Sequence, residues 1–146
     1  MENRKESKSF HATLDSLESI RDFLTAKGKM AGLDKNKIYK LCLAADEIAT
    51  NIINYGYAKT DISKKIIDVI IQLDDEGITV TLEDTAVPFN PFDNILPTND
   101  DLTKPLEERP IGGLGLMLAK ENVDQYTYQF KDGKNRNIFR VNSRTT

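Results

Sequence analysis

The sequence predicts an α/β two-layer sandwich of the α+β kind, with a mixed, mostly antiparallel sheet and helices on one face. Three observations lead there. Apolar residues recur at helical spacing in two stretches before residue 56, and from residue 66 onward they alternate as in strands. Two tight turns, Asp74-Asp75-Glu76-Gly77 and Asp132-Gly133, join neighbouring strand-like runs, which makes those pairs antiparallel. At 146 residues the chain is long enough for one core and short for two domains.

Residues 1–8 are charged and polar and are expected to be loose, with the domain running over 9–142. Ser9 to Thr13 reads as a short strand. Leu14, Leu17, Ile20, Phe23 and Leu24 then mark one face of a first helix, whose end Gly28 and Gly32 loosen. A second helix is predicted from about Asp34 to Tyr55, with Gly56 as its stop. Ile66 to Leu73 is rich in β-branched residues, and Ile78, Val80 and Leu82 alternate with Thr79, Thr81 and Glu83, giving a hairpin with one buried face. All five prolines fall between Ala86 and Ile111, in a loop long enough to imply a role of its own. Gly112-Gly113-Leu114-Gly115 opens a third helix. Tyr126, Tyr128 and Phe130 alternate before the Asp132-Gly133 turn, and Ile138, Phe139 and Val141 belong to a last strand. The tyrosine alternation reads as sheet packing.

Composition narrows the function. The 20 basic and 23 acidic residues leave a net charge of −3, without the basic excess of a duplex-binding protein. The lone Cys42 forms no internal disulfide, and no Cys/His set has metal-ligand spacing. No apolar run approaches the roughly 20 residues that cross a bilayer, and no export signal opens the chain, so a cytoplasmic setting is expected.

Three constellations can carry chemistry. On the second helix Leu41, Ala45, Ile48, Ala49 and Ile52 form the apolar face, while Glu47 and Asn51 sit one turn apart at its margin. A carboxylate there can serve as a general base, and the amide oxygen one turn on can hold a hard cation such as Mg²⁺. The same pair also suits an ordinary solvated helix face. Asp84, at the end of a hairpin strand, can accept from a ligand amino group such as adenine N6, or can bind its own backbone in a turn. The glycines at 112, 113 and 115 can bring helix N-terminal N–H groups close to a phosphate, or can be plain flexible chain. Arg109, just upstream, suits bidentate phosphate binding or a solvated loop. His11 and Cys42 are read as packing or surface residues.

Taken in order, Glu47-Ile48-Ala49-Thr50-Asn51, Asp84 with Pro88-Phe89, and Gly112-Gly113-Leu114-Gly115 resemble the N, G1 and G2 boxes of the gyrase/histidine-kinase type (Bergerat-fold) ATPases. Within that superfamily the chain is similar to the bacterial anti-sigma factor serine/threonine kinases, through the stretch from Ala44 to Tyr57 and through Pro88-Phe89-Asn90-Pro91. The resemblance implies ATP and Mg²⁺ as ligands. Glu47 would be the general base toward a substrate serine, Asn51 the Mg²⁺ ligand, and Asp84 the adenine-recognising carboxylate. Gly112, Gly113 and Gly115 would cradle phosphates, with Arg109 a further phosphate contact and residues 92–111 the nucleotide lid. It also implies transfer of the γ-phosphate to a serine of an anti-anti-sigma partner, control of a sigma factor by partner switching, and a homodimer. The chain departs from the family pattern at Ala86, where the G1 box usually has Gly, and at Asn90, where Asp often follows the Pro-Phe pair. Those departures motivate an alternative, a regulatory module that binds nucleotide and a partner without transferring phosphate.

Overall fold

The computed structural model describes residues 4–57, 65–88, 90 and 113–144. Its order is β1 (Arg4–His11), a 3-10 turn (Leu14–Ser16), α1 (Leu17–Met30), α2 (Lys35–Asn51), a π-helical turn (Ile52–Gly56), β2 (Ile66–Asp74), β3 (Gly77–Asp84), α3 (Gly113–Asn122), β4 (Gln125–Lys131) and β5 (Lys134–Asn142). The five strands form one sheet in the order β1-β2-β3-β5-β4. Every strand pair in it is antiparallel, so the sheet is not mixed. The expected α+β two-layer sandwich is what the chain forms.

The helices cover one face of the sheet. Ile67, Val69, Ile71 and Leu73 of β2, Ile78, Val80 and Leu82 of β3, and Phe139 and Val141 of β5 are buried against Leu24, Leu41, Ala45, Ile48 and Ala49. This is the period-2 stripe of a sheet meeting the 3.6-period stripe of amphipathic helices. Asp34 caps α2 by accepting from the Lys37 N–H at 2.8 Å.

Three expectations change. Residues 4–8 are not loose, because Arg4 pairs with Leu73 and the ladder runs unbroken to His11 opposite Ile66. Lys27 bonds Glu6 from α1, and Ser9 bonds Asp68 across the strands. As an edge strand, β1 buries only Phe10, so it carries no apolar alternation to read. Gly28 does not loosen α1: it is buried within the helix, and a Cβ there would lie 3.1 Å from Ile38 Cγ1, so its bareness lets α1 and α2 approach. Gly32, at φ +82°, ends that helix in a Schellman motif, with Leu33 N–H donating to Gly28 O and Gly32 N–H to Lys29 O. Finally, α2 is regular only to Asn51 and widens into the π turn, where Tyr57 N–H donates to Ile52 O. Short π segments of this kind recur at functional sites. The expected lid at residues 92–111 lies outside the described residues.

Candidate functional site

The C-terminal half of α2 carries the first two candidates. Asn51 is 7% exposed and its Nδ2 donates to the main-chain oxygen of Glu47 at 2.8 Å. That bond ties the nitrogen to its own helix and leaves Oδ1 with no hydrogen-bond partner among the described residues. A fixed carbonyl-type oxygen is the donor a hard cation takes, so the residue fits a Mg²⁺ ligand. Glu47 is half-buried, and its carboxylate has no hydrogen bond or ion pair among the described residues. Burial, and then the neighbouring Asp46, push its carboxyl above the ordinary carboxylate range. Asp46 itself is turned toward α1 and pairs with Arg21 at 2.8 Å. Helical geometry thus gives two adjacent acids different tasks: one is paired with Arg21, and the other is left with a raised proton affinity.

Asp84 stands where β3 ends, 4% exposed. The strand alternation separates it from Glu83, which lies on the opposite face. Burial works to raise the Glu83 carboxyl, but bonds from Arg136 at 2.8 Å and Lys134 at 3.1 Å outweigh it and hold it below the ordinary range. Among the described residues Asp84 has no cation beside it. Burial raises its carboxyl, only partly offset by Asn135 and the Ala86 N–H. Its Oδ1 accepts from Asn135 Nδ2 at 2.9 Å and from Ala86 N–H at 3.0 Å. No described residue donates to its Oδ2.

The π turn links Asp84 to α2. Tyr57, 1% exposed, donates its hydroxyl to Ile66 O at 2.8 Å and accepts from Thr85 N–H at 2.8 Å. A Cβ on Gly56 would sit 3.1 Å from the Ala86 methyl, so the bare glycine makes room for the alanine that replaces the expected glycine of the loop. The end of the Glu47/Asn51 helix and the loop after Asp84 are therefore one packed unit. Gly113 and Gly115 lie in the first turn of α3, which packs along α2 through the fully buried Ala119. Unpaired N–H groups at such a helix start favour an anion. Arg109 and Gly112 lie outside the described residues.

Residues 10–141 match the histidine kinase-like ATPase domain family. The chain belongs to that family. Two curated relatives are similar to it: the serine-protein kinases RsbW of Bacillus cereus strains AH187 and Q1. Each is 27% identical over 116 residues, which cover 78% of this chain and 70% of the relative. The crystal structure of the RsbU and RsbW domains of Rv1364c from Mycobacterium tuberculosis superposes with a TM-score of 0.65 at 18% identity. That match takes in 98% of this chain and 34% of the longer Mycobacterium chain, and at this identity it establishes the fold.

Within a histidine kinase-like ATPase domain the nucleotide is the ligand the arrangement must be measured against. Three residues of the unit have no site role that the sequence alone assigns. Tyr57, Asn135 and Tyr128 all lie within hydrogen-bond reach of the Asp84 loop or of each other. The tyrosine alternation at 126 and 128 is the available signal, and by itself it reads as sheet packing. Only the β4–β5 register sets their hydroxyls on Asn137 and Asn135. No helix among the described residues is long and apolar enough to cross a membrane.

Proposed function

We propose that this chain is an ATP-dependent protein serine kinase that phosphorylates an anti-anti-sigma partner and so controls a sigma factor by partner switching. The observation that carries the reading is the Glu47–Asn51 pair. One half-buried carboxylate with raised proton affinity stands a turn from an amide whose nitrogen is tied down and whose oxygen is left over. The family membership and the serine-protein kinase relatives support the same reading.

In this scheme Asp84 takes the amino group of adenine on Oδ2, and Asn51 Oδ1 holds Mg²⁺. When bound, Mg²⁺ neutralises charge on the phosphates. The first turn of α3, with Gly113 and Gly115, offers main-chain N–H groups to phosphate oxygens; phosphate-contact roles for Gly112 and Arg109, which lie outside the described residues, belong to the same proposal. Glu47 accepts the proton of the serine hydroxyl as its oxygen bonds to the γ-phosphorus; the bond to the bridging oxygen breaks and ADP departs with that electron pair. A carboxyl raised by burial keeps the proton better than a solvated one, which is what a base in this position requires. The proposal includes a cytoplasmic homodimer.

The test is phosphoryl transfer from Mg-ATP to an anti-anti-sigma protein bearing the acceptor serine. Glu47→Ala should cut transfer by about 10²–10⁴-fold, the usual contribution of a general base. Nucleotide affinity should stay within a few-fold of wild type. Binding without transfer by the wild-type chain would favour the regulatory-module alternative, and no nucleotide binding at all would defeat both.

A further inference from the structure

We propose that Asn135 is the positioning residue of the nucleotide site, holding the Asp84 carboxylate so that a single acceptor oxygen faces the base, and that Tyr128 fixes Asn135 in turn. The proposal rests on reading Asp84 as the acceptor of the adenine amino group.

Asn135 and Asp84 are direct cross-strand partners in the β5–β3 register. Asn135 is 3% exposed. Its Nδ2 lies 2.9 Å from Asp84 Oδ1, 3.0 Å from Ala86 O and 3.3 Å from Val87 O. The two main-chain oxygens can only accept, so the amide nitrogen must face this cluster; a flipped amide would set oxygen against three oxygens. The other end is fixed as well. Tyr128, diagonal to Asn135 across β4–β5, donates its hydroxyl to Asn135 Oδ1. A chain of donors therefore runs from the Tyr128 hydroxyl to Asn135 and on to Asp84.

Two consequences follow from this arrangement. With Oδ1 occupied by Asn135 and the Ala86 N–H, the carboxylate cannot rotate without losing both bonds, and Oδ2 is the oxygen it offers. The same amide nitrogen also pins the carbonyls of Ala86 and Val87, so it sets the course of the chain leaving β3 at the position where a glycine is usual. Asn135 thus fixes both the acceptor and the loop around it, without touching the nucleotide.

The experiment compares Mg-ATP with Mg-purine riboside triphosphate, which lacks only the 6-amino group, by calorimetry on the full chain. Wild type should bind ATP at least about 10-fold more tightly, one hydrogen bond to a charged acceptor. Asn135→Ala should erase most of that ratio while leaving affinity for the purine riboside analogue within about 2-fold. Tyr128→Phe, which removes one hydroxyl and spares the packing, should reduce the ratio by roughly 3-fold with the analogue again unaffected. Equal loss for both ligands in the two variants, or no loss for either, overturns the positioning role while Asp84 keeps its own. A wild type that does not distinguish the two ligands overturns the reading of Asp84 and this proposal with it.

Discussion

Removing the Tyr57 hydroxyl should loosen the junction between α2 and the Asp84 loop. In Tyr57→Phe the ring still fills its buried site, but two main-chain bonds disappear: the one donated to Ile66 O and the one accepted from Thr85 N–H, both 2.8 Å. Each such bond contributes about 1 kcal/mol net, and a partner left dry costs somewhat more. Thr85 is exposed, so water repairs part of its loss, and Ile66 is a half-buried residue. The sum is about 2–3 kcal/mol. For 146 residues the unfolding entropy near the midpoint is about 0.3 kcal/mol per kelvin, so Tm should fall by roughly 7–10 °C. Thermal unfolding followed by circular dichroism measures it. A fall of less than about 2 °C would refute the assignment of Tyr57 as the brace of this junction.

Other perturbations separate binding, chemistry and packing. Asp84→Asn keeps an oxygen for Asn135 and the Ala86 N–H but turns the remaining acceptor into a donor; ATP affinity by calorimetry should drop roughly 10–100-fold with Tm held or raised. Glu47→Gln should raise Tm at pH 7. The folded pKa of Glu47 lies above its ordinary 4.5, so its contribution to stability is full below that value and is lost as pH rises through the folded pKa. The advantage of the glutamine should shrink as melts are repeated toward pH 4.5, and a lower Tm at pH 7 would contradict the burial argument. Gly77→Ala should destabilise the chain by about 1–3 kcal/mol in urea titrations, because residue 77 sits at φ +154° and a Cβ would lie 2.3 Å from Val141 O.

Much of the fold was legible because its signals are periodic. The apolar face of α2 emerged from spacing alone, and Leu41, Ala45, Ile48, Ala49 and Ile52 are all buried. The β2–β3 hairpin likewise followed from alternation around Asp74-Asp75-Glu76-Gly77. The front of β1 escaped notice because an edge strand with one buried residue has no pattern, only partners. Gly28 was misread for a related reason: a glycine between two helices and a glycine that ends one look alike until the second helix is placed.

The order of elements, the antiparallel hairpins and the spacing that sets Glu47 one turn from Asn51 are all readable from the residues in line. Those follow from local periods of 3.6 and 2, which are properties of a few consecutive residues. The meeting of Asp84 with Asn135, 51 positions later, and the seating of the Ala86 methyl against Gly56 arise only when the chain packs. The same packing sends Glu83 to a pair of cations on the opposite face. Such contacts depend on strand register and on the crossing of helix over sheet. Those are fixed by burying the whole core at once, and no short window of residues contains them.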